Sequence, residues 1–248
     1  MDQLKKTYNA NTLKLIAILA MTLDHIAWLC YPGYSRQALP LILHVIGRIT
    51  CPIMCYFVAE GYYYTRNINR YTARLFGFAV ISHFAYIYAS LGSSSAQSFL
   101  PFASGSVFNQ TSVMWSLAWG LVMLRVAHSA RIRHGSTRVL LILLICVVSF
   151  PSDWSCIASL CILAFGTNRG NVRAQMLWML CYVMIYAAVY CLALDWAYGL
   201  LQMAVVLAIP LILRYNGQRG RSETLNRVLK WGFYFYYPLH LFVIGLLK

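Results

Sequence analysis

Residues 13–31 read LKLIAILAMTLDHIAWLCY, an apolar run in which two ionisable residues, Asp24 and His25, stand side by side. A helix rises about 1.5 Å per residue, so a run of this length crosses the roughly 30 Å hydrocarbon core of a bilayer. The pair Asp24-His25 and the lack of a small-residue cleavage site argue against a signal peptide. Reading outward, apolar runs bounded by charge or turn residues recur at 39–60, 71–91, 111–127, 139–150, 154–165, 176–194, 197–213 and 231–247. The chain predicts an all-α, polytopic membrane helical bundle of about nine transmembrane helices, formed as one domain over residues 1–248.

Composition agrees. Of the 248 residues 60% are hydrophobic and 10% charged, and the mean hydropathy is +0.63, whereas a soluble domain carries about 25% charged residues. So little polar surface cannot cover a water-facing globule, and the lipid bilayer is the partner implied. The net charge of +14 does not signal nucleic acid, because the Lys and Arg residues lie in short clusters between apolar runs. The eight cysteines fall mainly inside those runs without paired CxxC units, so no metal site is expected.

Basic loops orient the bundle. With nine crossings and a cytoplasmic N-terminus, 17 Lys and Arg lie inside against two outside, Arg36 and Lys248. Runs 139–150 and 154–165 are short enough to form one broken helix around Pro151 and Asp153, but merging them gives 11 inside against eight outside. The charge bias therefore favours nine spans, N-terminus in and C-terminus out. The uncharged segment 92–110 then faces outward as a polar loop. The clusters Tyr62 to Tyr64 and Phe233 to Tyr237 read as interfacial aromatic belts.

An ionisable side chain at mid-membrane costs roughly 2.5–3.5 kcal/mol and needs a partner, a wet cavity or a task. Asp24, His25, His44, Arg48, His83 and His240 fall inside the runs, with Lys14 and Glu60 near cytoplasmic ends. The first run ascends and the second descends, which brings Asp24 and Arg48 to similar depth as a pair. His44 and Arg48 share a face at i and i+4, while Asp24 is poorly placed to orient its neighbour His25, about 100° away around the helix. His44 and His83 read as packing residues. His25, beside a carboxylate and a convergent arginine, is the candidate base, and Arg48 the group to stabilise an oxyanion or hold an acid.

The run from Leu13 to Ala17 with Met21 and Asp24-His25-Ile26, then Gly47-Arg48-Ile49 with Pro52, Glu60-Gly61, Tyr64 to Asn67, Tyr71 and Arg74-Leu75, resembles the TraX family of membrane proteins. Tyr215-Asn216-Gly217, Arg219-Gly220 and the terminal Phe235 to Leu241 are similar to that family's last loop and helix. The chain departs from the family at His83-Phe84-Ala85 and at Trp154-Ser155, so neither His83 nor Asp153 receives a role. The resemblance implies pilin acetylation and a likeness to transmembrane acyltransferases that carry an acetyl group from cytoplasmic acetyl-CoA to an extracytoplasmic acceptor. Those enzymes place a basic residue about three helical turns ahead of a first-helix histidine, as Lys14 stands to His25.

By this resemblance the chain is an acetyl-CoA-dependent acyltransferase of the inner (cytoplasmic) membrane. His25 is its base or transient acyl carrier, supported by Asp24 and Arg48. Lys14, Arg66, Arg70, Arg74 and His240 are expected on the acetyl-CoA side, and the acceptor is a pilin-like N-terminal amine or a surface hydroxyl of a protein or glycan. The competing classes are a proton-coupled transporter or flippase using Asp24, His25 and Arg48, and an assembly scaffold for a surface appendage.

Overall fold

The computed structural model describes residues 6–91, 100 and 107–248. Most of the 92–110 segment, expected as an outward polar loop, lies outside them. Among the described residues the chain is helical, without strands beyond isolated bridges. The helices are α1 (Ala10–Cys30), α2 (Ala38–Gly47), α3 (Thr50–Tyr64), α4 (Ile68–Leu91), α5 (Val113–Ala127) and α6 (Gly135–Ser149). They continue with α7 (Ile157–Thr167), α8 (Val172–Ala193), α9 (Trp196–Leu201), a 3-10 stretch (Gln202–Ala208), α10 (Ile209–Leu213) and α11 (Glu223–Leu246).

Among the described residues four segments are long and apolar enough to cross a membrane: Ala10–Cys30, Ala38–Tyr64, Val172–Ala193 and Trp196–Leu213. Helices α5, α6 and α7 are apolar but shorter. The surface matches a lipid solvent. On α1, Leu15, Leu19, Leu23 and Ile26 form an exposed stripe, while Leu13, Ala17, Ala20, Asp24 and Ala27 are buried. Apart from Leu13 and Asp24, the buried positions are alanines and the exposed ones large aliphatics, the arrangement that lets helices approach closely where no water drives them together. Similar exposed stripes run along α6 (Val139, Leu140, Leu143, Leu144 and Val147) and α8. Contiguous apolar surface of this kind marks contact with lipid or protein.

The chain forms two compact units, Met1–Met54 with Met176–Tyr236, and Cys55–Gln175 with Tyr237–Lys248. In the first, Asn9 caps α1 by accepting from the Thr12 N–H at 2.9 Å. The other donors at the base of α1 go to the loop after α10: Ala10 N–H to Gln218 O at 2.8 Å and Asn11 N–H to Arg219 O at 3.2 Å. Asn11 also reaches Asn226 at 2.6 Å. The loop that carries Tyr215-Asn216-Gly217 and Arg219-Gly220, which resembles the last loop of the TraX pattern, thus fastens the foot of the first helix.

Two segments that the sequence reads as single spans are interrupted here. The 39–60 run divides at Arg48-Ile49, between α2 and α3. Pro52 has no N–H to give the Arg48 carbonyl, so the helical ladder cannot continue through it. The 197–213 run passes through the 3-10 stretch before Pro210, where the Val206 carbonyl takes the Ile209 N–H instead. Asp195 caps α9, its carboxylate accepting the Ala197 and Tyr198 N–H groups at 2.9 Å each and pairing with Arg36 at 2.9 Å.

The Tyr198 N–H holds the Asp195 carboxyl below the usual carboxylate range, and Arg36 adds to the effect. A carboxyl depressed in the folded state contributes stability above its unfolded pKa of about 3.9 and loses it as pH falls through the folded value. The melting temperature in detergent should therefore fall more steeply below about pH 4 in wild type than in Asp195→Asn. Identical slopes would show that this cap carries no titrating charge.

In the second unit, α6 and α7 are separate helices of opposite direction. Ser159 donates to the Ser116 carbonyl at 2.7 Å, and Gly120 and Gly166 lie against Ile162 and Leu124. That constant register makes α7 parallel to α5. Trp115, near the start of α5, donates to Val148 O at the end of α6 at 2.9 Å, so α6 is antiparallel to α5. The 149–155 turn is tied to residues 110–111, with Gln110 N–H bonding Pro151 O at 2.7 Å.

Candidate functional site

Asp24 sits on the buried stripe of α1, and what approaches it is α2. Gly47 makes the approach possible: a Cβ there would lie 2.6 Å from Asp24 Cγ and 2.8 Å from Oδ1. With no side chain at 47, the backbone of α2 packs directly on the carboxyl group. His44 and Arg48, one turn apart, then flank it. Arg48 Nη2 donates to both Asp24 oxygens at 2.9 Å, and His44 Nδ1 lies 2.7 Å from Oδ1. The pair expected between Asp24 and Arg48 is present, and His44, expected to be a packing residue, joins it.

Arg48 is held from two further directions within the unit. Its Nη1 donates to Gln202 Oε1 at 3.0 Å and its Nε to the His44 carbonyl at 3.3 Å, while Gln202 Nε2 donates to Tyr198 O at 3.1 Å. Both chain interruptions therefore meet at this arginine, the break after α2 and the 3-10 stretch beginning at Gln202. Irregular backbone at membrane depth persists where side chains satisfy the groups it frees. The arrangement directs the guanidinium toward Asp24 and Gln202.

The His44 ring is fully buried and lies against Trp28 at 4.6 Å and Tyr198 at 5.4 Å between centroids. Tyr34, exposed at the surface, packs on Tyr198 at 4.9 Å and reaches the Tyr190 hydroxyl at 3.3 Å. Tyr198 is fixed by its own bond to Ser35 O at 2.8 Å. An ionised carboxylate only accepts hydrogen bonds, so the contact places a ring proton of His44 on Nδ1. The ring's Nε2 is buried and has no hydrogen-bond partner among the described residues.

The other predicted residues are distributed as follows. His25 follows Asp24 on α1 and is half-buried. Lys14, half-buried lower on α1, lies over the Phe233 ring at 5.4 Å. Phe233 and Tyr236 meet α1, Tyr236 reaching the Thr22 hydroxyl at 2.7 Å. Arg66, Arg70, Arg74 and His240 belong to the second unit. There Arg66 and Arg70 are exposed, Arg74 packs over Tyr71 at 5.3 Å, and His240 is buried against Tyr237 at 5.4 Å. Sequence reasoning missed Gln202, Trp28 and Tyr198. A lone amide in the 197–213 run was the available signal for the first, and nothing in the sequence distinguished the two aromatics. No group of His, Cys, Asp and Glu suited to a metal occurs among the described residues.

The family model described as TraX protein matches residues 9–248. The chain is 28% identical over 245 residues to a probable fimbrial assembly protein FimC, serogroup H1, of Dichelobacter nodosus, covering 94% of this chain and 93% of the relative. It is 38% identical over 58 residues to an uncharacterized protein of Rickettsia prowazekii (strain Madrid E), 23% of this chain and 21% of that one. No solved structure matches.

Proposed function

The chain belongs to the TraX family, and on that premise we propose that it is a membrane-embedded acyltransferase that passes an acetyl group from cytoplasmic acetyl-CoA to an extracytoplasmic amine or hydroxyl on a surface-appendage subunit or glycan. The observation that carries this reading is a carboxylate buried inside a spanning helix, locked by Arg48 and bonded to an imidazole. A helix lock needs only the ion pair. An imidazole bonded to the carboxylate, with a second one at the next position, supplies proton transfer at the depth where two substrates can meet.

In this proposal the chain lies in the inner membrane with nine crossings, N-terminus in and C-terminus out. His25 faces the acyl donor, as base or as transient carrier of the acetyl group. Lys14, at the foot of the same helix, attracts the phosphates of acetyl-CoA, and the exposed Arg66 and Arg70 raise the local concentration of so anionic a molecule. Arg74 and His240 are the remaining candidates on the donor side. The kinship with a fimbrial assembly protein supports an acceptor in a surface appendage.

The test is purified protein in lipid nanodiscs with labelled acetyl-CoA and either a pilin-type peptide with a free N-terminus or a glycan. Wild type should transfer label, and His25→Ala and Asp24→Asn should lower the rate by about 10²–10⁴-fold, the range of general acid–base contributions. Binding of acetyl-CoA or acceptor without turnover would favour a carrier. Appendage assembly rescued fully by His25→Ala in cells would favour a scaffold.

A further inference from the structure

We infer that His44 is the residue that takes the proton from the attacking nucleophile, with Asp24 as the carboxylate that orients it. The inference rests on the acyl-transfer reading above and moves the base role in it from His25 to His44, leaving His25 on the acyl-donor side. The geometry is that of a carboxylate–imidazole dyad. Arg48 fixes both oxygens of Asp24 at 2.9 Å, Asp24 fixes Nδ1 of His44 at 2.7 Å, and Trp28 and Tyr198 pack against the ring. With the carboxylate on Nδ1, the tautomer is set and the basic lone pair is on Nε2, the logic by which a carboxylate prepares a catalytic histidine.

The decisive detail is the buried Nε2 without a partner. Leaving such an atom unsatisfied costs about 1–3 kcal/mol, and a histidine retained for packing alone would be expected to find it a bond. His44 keeps at Nε2 an acceptor for a donor that no described residue supplies. The O–H of a hydroxyl or the N–H of a neutral amine is such a donor.

In the step, the acceptor's O–H or N–H passes its proton to Nε2 as its oxygen or nitrogen forms a bond to the thioester carbonyl carbon. The carbon–sulfur bond then breaks with its electron pair on sulfur, and the imidazolium returns the proton to that sulfur. The products are a free thiol and an acylated acceptor, with no net change in protons or oxidation state. Trp28 and Tyr198 pack against the ring, so the step requires one of them to turn aside for the nucleophile.

The test variant is His44→Asn, whose amide N–H stands in for Nδ1–H toward Asp24 while nothing replaces Nε2. In nanodiscs, kcat should fall about 10²–10⁴-fold with KM for acetyl-CoA within about twofold. His83→Asn, made in the second unit, should stay near wild type. Nitrogen-15 spectra of labelled wild-type protein give a readout independent of turnover and of any variant's folding, and should show His44 protonated on Nδ1 and bare on Nε2. Near-wild-type kcat in His44→Asn, or a proton resident on Nε2, overturns the inference and leaves acyl transfer standing. Absence of transfer by wild type with every acceptor overturns both.

Discussion

Gly47→Ala should cripple the protein through one methyl group. The new Cβ would stand 2.6 Å from Asp24 Cγ, well inside contact distance, so either α2 retreats from α1 or Asp24 leaves its rotamer. Overpacking of this kind costs about 1–3 kcal/mol of stability. A displacement near 1 Å at reacting groups costs about a hundredfold in rate. The expectation is a lower melting temperature together with acyl transfer reduced about hundredfold or more. Gly77→Ala is the control: it lies on α4 with open space where the methyl would go, and alanine in an exposed helix interior gains about 0.5–1 kcal/mol over glycine. A Gly47→Ala protein as active and stable as that control would show that the approach of α2 to Asp24 is not needed.

The second large effect concerns the ion pair itself. Arg48→Met leaves Asp24 as a buried carboxylate with His44 its remaining hydrogen-bond donor among those two, and removing one partner of a buried pair costs about 3–5 kcal/mol. Asp24→Asn in the same chain removes the stranded charge. The double variant should therefore be more stable than additivity of the singles predicts, by about 0.5–3 kcal/mol, while remaining inactive. Unfolding in a denaturing detergent series would measure all three. Additive losses would mean that Asp24 and Arg48 do not share their charge.

The Asp24–Arg48 contact was legible because it follows from helix rise and chain direction: two antiparallel apolar runs leave few depths at which ionisable residues can meet. The exposed stripe of α1 was implicit in the same periodicity. Gln202 was not legible, because its partner lies 154 positions earlier and a neutral amide in an apolar run does not announce its need for one. His44 was visible as a residue on Arg48's face, yet its bond to Asp24 depends on the backbone passing where only glycine fits. The interruption at Arg48-Ile49 was hidden for a different reason. Hydropathy averages over about 20 residues and registers no change when the hydrogen-bond ladder breaks inside an apolar segment.

Arg48 and Gln202 bind backbone carbonyls as well as each other, at His44 and at Tyr198, beside the two interruptions of the helical ladder. The same atoms thus serve as scaffolding and as reactive surroundings. Inert yet intact versions of this protein will be scarce, since blunting either side chain also loosens a splice in the chain. Anyone wanting a silent copy to trap a bound partner should alter the imidazole and leave its neighbours alone.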